Sequence, residues 1–295
     1  MSVRASRALL VALSAAFIAD LLALQVAESR ANSGFIYRRL DRVQAKPSDV
    51  STVTCRYKPL FGEGDSEASL VKGLARFGEL IVDAGGESAR VQYPDEEQAY
   101  VVMSGEGVLR YGEDERSIAA ADFLYLPPGV QHSVSNPGSR PLHIIVMGYH
   151  IPKGTELTIP AKLLIANTSM AKQQVLDNHP DSTRYRLLMG GTDSKRDVIA
   201  AGHVLTSLFI MDIEPGGTND PHRHATEEEI YLVLDGKGDM VAGDDPNGLE
   251  ARHPATAGDA YFIRPNVTVG FYADDSPGAG NGRILAVRST YLPTR

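Results

Sequence analysis

Residues 216–238 read GGTNDPHRHATEEEIYLVLDGKG, and residues 85–107 read GGESARVQYPDEEQAYVVMSGEG. The two stretches align without a gap, Gly85 on Gly216, Tyr100 on Tyr231 and Gly107 on Gly238. Each opens on a Gly-Gly turn, passes an acidic cluster, enters an alternating apolar run and closes on Gly-x-Gly. The alternation predicts strands at Ala99–Met103 and Ile230–Leu234, because successive side chains of a strand point to opposite faces. Working outward, Phe77 to Val82 and Leu208 to Ile213 occupy matching places upstream. Downstream, Ala121-Asp122 and Leu126-Pro127-Pro128-Gly129-Val130 match Gly258-Asp259 and Ile263-Arg264-Pro265-Asn266-Val267. About six extra residues separate the two blocks in the second copy. The turn-rich Asp244-Asp245-Pro246-Asn247-Gly248 is the expected place for them, since hairpin tips tolerate insertion. Two related units of short strands and Gly/Pro turns imply two antiparallel β-barrels or sandwiches.

The second copy carries the chemistry. His222 and His224 are two apart, so on extended backbone both imidazoles point to one face. Glu229 begins the next strand and reaches the same point. Two imidazoles and one carboxylate form a facial set for one divalent metal ion, with Fe, Mn, Ni, Co and Zn all compatible. Tyr231 shares the strand face of Glu229 and could donate a hydrogen bond to a ligand there, or simply pack with its hydroxyl satisfied. Arg223, between the histidines, should point outward. Arg264 either faces a carboxylate at the rim or is solvated. Asp220 either orients a ligating histidine or caps a turn. His143, His150, His179, His203 and His253 match no ligand spacing.

The spacing from Gly216 through His222, His224 and Glu229 to Gly236 resembles motif 1 of the cupin superfamily, and Gly258 to Phe271 resembles motif 2. With the repeat, the chain resembles a bicupin. The resemblance implies an all-β fold of two cupin-type antiparallel β-barrels (double-stranded β-helices), joined by a short partly helical linker, with strands often exchanged between barrels. It also implies that motif 2 supplies a fourth ligand, a histidine, where this chain has Val269. A metal here would have three protein ligands unless Tyr261, Tyr272 or another side chain substitutes. The vacancy is either an open position for substrate or dioxygen, or the mark of a decaying site. In the first copy Val91 and Tyr93 take the histidine places and Gln98 the glutamate place, while His132 and Asn136 remain in motif 2. That barrel is expected to hold no metal, either as a structural barrel or as a metal-free pocket using Tyr93, Gln98 and His132.

The expected segments are a signal peptide at 1–31, an N-terminal cupin domain at 32–159, a linker at 160–190 and a C-terminal cupin domain at 191–295. The linker should carry one or two short helices and lead into a strand near Tyr185 to Met189. Tyr37-Arg38-Arg39-Leu40 reads as a similar opening to the first unit. Arg4 and Arg7 ahead of an apolar run broken by Asp20, then Ser29-Arg30-Ala31, have the layout of an export signal, with an uncleaved anchor as the alternative. The expected location is therefore periplasmic or extracellular. The formal charge of −8 argues against nucleic acid as a partner. Cys55 is the single cysteine, which excludes an intrachain disulfide and a thiolate cluster. The expected partner is a small-molecule substrate, and cupins are often homodimers. The leading functional expectation is a metal-dependent oxidoreductase of dioxygenase type acting on a small organic molecule. A metal-dependent isomerase, decarboxylase or hydrolase fits the same residues, as does a non-catalytic module that binds a sugar or organic acid.

Overall fold

The computed structural model describes residues 34–291, so the signal segment expected at 1–31 lies outside the described residues. No described helix is long and apolar enough to cross a membrane. The fold is nearly all strand, in two barrels that each pair a large sheet with a three-stranded one. In the first barrel the large sheet runs Leu164–Asn167, Asp122–Leu126, Glu96–Ser104, Leu142–His150, Leu74–Val82, Cys55–Gly62. Asp114–Ala119, Glu106–Tyr111 and His132–Ser135 close it. In the second, the order is Phe35–Arg39, Asp259–Ile263, Glu227–Asp235, Gly282–Thr290, Leu205–Ile213, Thr183–Gly191, Gln173–Gln174. A branch, Ile199–Gly202, pairs parallel with Thr183–Gly191. Glu250–Thr256, Lys237–Asp244 and Val269–Ala273 complete that barrel.

The strands alternate between two destinations. In Glu227–Asp235, Tyr231 and Val233 point into the second barrel, while Ile230 and Leu232 enter a third core that the two barrels share. In Glu96–Ser104, Tyr100 and Val102 point into the first barrel, and Ala99 and Val101 into the shared core. The large sheets are therefore covered on both faces, and Leu74–Val82 is buried at all nine positions. A one-residue slip in such a strand would exchange the barrel interior with the interface, so its register is tightly specified.

Each half lends a strand to the other. Phe35–Arg39 pairs with Asp259–Ile263, and Leu164–Asn167 pairs with Asp122–Leu126. The barrels therefore cut across the segments 32–159 and 191–295, because an edge strand finds its hydrogen bonds on the neighbouring sheet. The resemblance seen between Tyr37–Leu40 and the strand at Tyr185 is not structural. Tyr37 lies on a lent strand, whereas Tyr185 lies on Thr183–Gly191, which occupies the sheet place of Cys55–Gly62 in the first barrel. The expected linker contains the strand Leu164–Asn167 and a single 3-10 turn, Thr168–Met170, capped by Asn167. The extra residues of the second copy sit at the hairpin tip between Asp244 and Glu250, where the turn chemistry placed them.

Two buried carboxylates tie the halves together. Glu97 accepts from the backbone N–H groups of His203 at 2.8 Å, Val204 at 2.7 Å and Leu205 at 2.7 Å, and from Tyr125 Oη at 2.9 Å. Glu228 accepts from Lys72 N–H at 3.2 Å and Gly73 N–H at 3.1 Å, with Leu74 N–H adding to these. Glu97 and Glu228 are repeat counterparts, and so are the two loops that donate to them. A hydrogen bond to a charged group contributes roughly 1.5–3 kcal/mol, and leaving its partner buried and unmade costs as much again. We expect Glu97→Ala and Glu228→Ala each to destabilise the protein by about 3 kcal/mol or more. Glu97→Gln, which keeps one acceptor oxygen, should lose less. Denaturant unfolding measures all three, and losses below about 1 kcal/mol in both alanine variants would remove the clamp as a principal link.

Candidate metal centre

Between Gly217 and the strand Glu227–Asp235, the chain touches Val269–Ala273 through two isolated bridges, Thr218 to Tyr272 and His222 to Val269. His222 exchanges both backbone hydrogen bonds with Val269, at 2.9 Å each. Directly opposed residues of an antiparallel pair share a face. The His222 imidazole therefore lies on the inward face with Val269, which is 1% exposed. Asp220 holds a left-handed backbone conformation, φ +54°. Aspartate tolerates that region better than most residues. Its backbone carbonyl, rather than its carboxylate, accepts from His222 Nδ1 at 2.8 Å. On the far side of the site, the Glu227 carboxylate lies 3.5 Å from His224 Nδ1. Glu227 is itself held by Thr206 Oγ1 and by Arg288 Nη1.

The Asp220 carbonyl can only accept, which puts the His222 proton on Nδ1 and leaves its Nε2 a lone pair, and the Glu227 carboxylate favours the same tautomer at His224. Those nitrogens are 3.1 Å apart, and His224 Nε2 is 3.2 Å from Glu229 Oε2. All three donor atoms lie within 4.8 Å of one another. Metal–ligand bonds of about 2.1 Å at right angles put neighbouring donors about 3 Å apart, so the two shorter separations suit adjacent ligands of one ion. Glu229 is 2% exposed, and its Oε2 makes no hydrogen bond although His224 Nε2 is near. A buried, unbonded carboxylate oxygen facing two imidazole lone pairs is costly unless a cation joins them. The residues fit a divalent metal. Among the described residues, they form the one group of three or more such side chains whose donor atoms converge.

A cavity of about 390 Å³ opens on these ligands. Tyr185, Leu187, Phe209 and Met211 supply apolar wall, and Ser207, Asn219, Tyr231 and Arg288 supply polar groups. Tyr231 Oη accepts from Asn219 Nδ2 at 2.8 Å, and Asn219 Oδ1 accepts from Phe271 N–H at 2.7 Å. Burial pushes the Tyr231 phenol well above its usual range, so it stays protonated and can donate. Arg223 points outward to Thr268 and Asp244, as expected. Tyr272 bonds Glu250 beneath the Arg252 guanidinium, which removes it as a substitute ligand. Tyr261 packs against Phe35 and Tyr37, outside the cavity lining. Arg264 acts on the Glu228 clamp rather than on the cavity. His179, set aside by its spacing, lines the cavity against Tyr185. Arg288 and Ser207 were also missed. The available signal was phase: Arg288 continues the inward alternation of Ile284 and Ala286 directly after the apolar run Ile284 to Val287.

The first barrel carries other side chains at the matching places. Val91 exchanges backbone hydrogen bonds with His132, so the histidine and valine of this rung have changed places relative to His222 and Val269. Tyr93 Oη accepts from Arg76 Nη1 at 2.9 Å, with the guanidinium 4.3 Å from its ring centroid. Arg76, 3% exposed, pairs with Asp49 at 2.9 Å, Glu63 at 2.8 Å and Glu96 at 3.5 Å. His132 Nε2 lies 3.2 Å from Tyr100 Oη, and burial lowers this histidine to about 4.

The cupin family model matches residues 78–148 and again residues 209–279. The chain is a bicupin. The bicupin is similar in structure to a Pseudomonas aeruginosa protein provisionally named glyoxylate-induced protein, with TM-score 0.70 and 16% identity over 89% of this chain and 91% of that one. An Escherichia coli bacterial pirin in complex with nickel(II) gives TM-score 0.63 and 14% identity over 88% of this chain and 100% of that one. Oxalate decarboxylase of Lactobacillus farciminis, in a formate complex, gives 0.61 and 13% over 87% and 86%. Identities this low speak to fold alone. In sequence, an uncharacterized protein of Methanocaldococcus jannaschii is 26% identical over 82 residues, 28% of this chain and 66% of that protein.

Two predictions follow from the paired sites. His222→Ala and Glu229→Ala should each abolish tight metal binding while both barrels stay folded, as read by metal analysis and circular dichroism. A variant that keeps stoichiometric metal overturns the ligand assignment. His132 gives the second. Its folded value lies below the ordinary value near 6.5, so the unfolded chain takes up a proton first as pH falls. Stability is therefore lost between about pH 6.5 and 4, by up to about 3 kcal/mol. In chelator-treated protein, wild type should lose this increment relative to His132→Gln. A pH-independent difference would mean that the buried histidine is not titrating.

Proposed function

We propose that this bicupin is a metal-dependent enzyme whose second barrel binds one divalent ion through His222, His224 and Glu229 and acts there on a small organic molecule. The observation that carries this reading is the unbonded, buried Glu229 Oε2 set against two imidazole nitrogens at the end of a cavity. A divalent ion with three protein ligands would keep positions free for substrate, and redox-active iron or manganese would mediate the electron transfer from substrate to dioxygen that dioxygenase-type chemistry needs. That chemistry is our preferred assignment, with Lewis-acid isomerisation or decarboxylation as its rival. The chain's own residues do the positioning. Asp220 O and Glu227 fix the imidazole tautomers, and the apolar wall excludes water. Tyr231, a neutral phenol anchored by Asn219, donates to substrate from the face it shares with Glu229.

Val269 is central to this reading. It is buried on the His222 rung, in the place where His132 stands in the first barrel. Val269→His should add an imidazole in place of water and tighten metal binding by roughly tenfold or more. It should also reduce any turnover that uses the free position. The first experiment is metal analysis of protein purified without added metal. One equivalent per chain of iron or manganese supports the preferred assignment, and one of zinc supports the rival. A chain that binds no divalent metal under any loading condition removes the enzyme reading and leaves a binding barrel.

A further inference from the structure

Ser207 on Leu205–Ile213 is the direct strand partner of Arg288 on Gly282–Thr290, and Arg288 is the direct partner of Glu229. Partners across antiparallel strands point to one face, so serine, arginine and the metal-site carboxylate form a single rung. All three line the 390 Å³ cavity. Ser207 is 1% exposed and its hydroxyl has no hydrogen-bond partner. Arg288 Nε is buried and has none either. The guanidinium is held by Glu227 through Nη1 at 3.4 Å, with its carbon 5.8 Å from the Phe209 ring centroid. Buried polar groups are almost always bonded, so two free ones on one cavity wall point to an acceptor brought by a ligand.

The same rung in the first barrel shows what such an arginine attracts. Its members are Arg76, Gly148 and Gln98. The arginine has moved to the neighbouring strand, and Gly148 makes room for it, since a Cβ there would lie 2.8 Å from Arg76 Cγ. Arg76 is surrounded by three carboxylates of its own chain, from Asp49, Glu63 and Glu96. Neither Nε makes a hydrogen bond, but Arg76 Nε has Glu96 Oε2 at 3.5 Å, whereas Arg288 pairs with Glu227 alone, through Nη1, and its side chain lines a cavity. Glu227 is the repeat counterpart of Glu96, whereas among the described residues no carboxylate pairs with Arg288 as Asp49 and Glu63 do with Arg76.

We infer that Arg288 and Ser207 form a carboxylate subsite, so that the substrate is a small organic acid. Its carboxylate accepts from Arg288 Nε and Ser207 Oγ, and the rest of the molecule extends toward His222, His224 and Glu229. This assignment rests on the proposed metal-dependent function, but the two fail separately. Glycolate and its neutral amide, glycolamide, serve as probes, with affinity measured calorimetrically on Mn(II)-loaded and on chelator-treated protein. Mn(II) uptake is measured first and decides the metal reading by itself. The loaded wild type should prefer glycolate to glycolamide, and Arg288→Gln should cut that preference roughly tenfold or more while Mn(II) affinity stays within a few-fold. Ser207→Ala should cut it less. The chelator-treated protein should show the same Arg288-dependent preference at weaker affinity. Should Arg288→Gln fail to fold, Arg288→Lys, which keeps the charge and loses the Nε donor, takes its place. A preference unchanged by both the arginine and serine substitutions, with or without Mn(II), means that the subsite does not exist.

Discussion

The two barrels depend on one repeated contact, a buried glutamate from each half holding the backbone N–H groups of a loop in the other. Neither Glu97 nor Glu228 has a salt bridge to a lysine or arginine among the described residues. They meet the loops 203–205 and 72–74, whose amides would otherwise be buried without partners at the junction. The arrangement is reciprocal because both members come from the repeat. It fixes how the large sheets face one another, and so defines the shared core that makes every position of a strand such as Leu74–Val82 buried. Burial pushes the Glu228 carboxyl upward, while the amides and the Arg264 charge hold it back. The contact thus sets desolvation against hydrogen bonding within a single side chain.

The strand that carries the clamp also carries the site. In the run Glu227-Glu228-Glu229, strand alternation sends the middle carboxylate to the interface and the outer two into the barrel. Glu229 becomes the candidate ligand and Glu227 the group beside His224 Nδ1. In Glu96-Glu97-Gln98 the same alternation sends Glu97 to the interface and leaves Glu96 and Gln98 facing Arg76. The interface member is the same residue type in both copies, whereas the inward members differ. The clamp is required by the architecture, and the inward positions are released from it.

Much of this was readable before any coordinates. The gapless alignment of residues 85–107 on 216–238 located two β units, and the change of offset after it located the hairpin insertion, because strand alternation and Gly turns are local signals. The candidate set His222, His224 and Glu229 was readable because histidines two apart on extended backbone leave a pattern in the sequence. What stayed hidden involved residues distant in the chain. The lent strands Phe35–Arg39 and Leu164–Asn167 pair with segments far away, and their sequences do not state a partner. Arg288 lies beyond both motifs and meets Glu229 only through strand pairing. Arg264 drew attention instead because it stood inside a motif, yet it is not among the residues that line the cavity.

The difference between the barrels is a difference in how each supplies positive charge to the same rungs. In the first, a buried guanidinium stands beside Tyr93, Glu96 and Gln98, and its charge is met by carboxylates of the chain. In the second, Ser207 is too short to fill that space, and Arg288 comes from the strand on the other side. The centre between His222, His224 and Glu229 is left with lone pairs and a carboxylate but no cation of the protein's own. With the arginine one strand across, the second barrel has a cavity beside the candidate ligands where the first has a self-neutralised core. A fixed guanidinium is always charged and never exchanges, which suits a structural barrel. An exchangeable ion with vacant positions suits a barrel that binds and releases other molecules. The exchange of His132 for Val91, against His222 for Val269, is the same division seen on the neighbouring rung. Two copies of one unit thus share the interface carboxylate and differ in the side chains that face each interior.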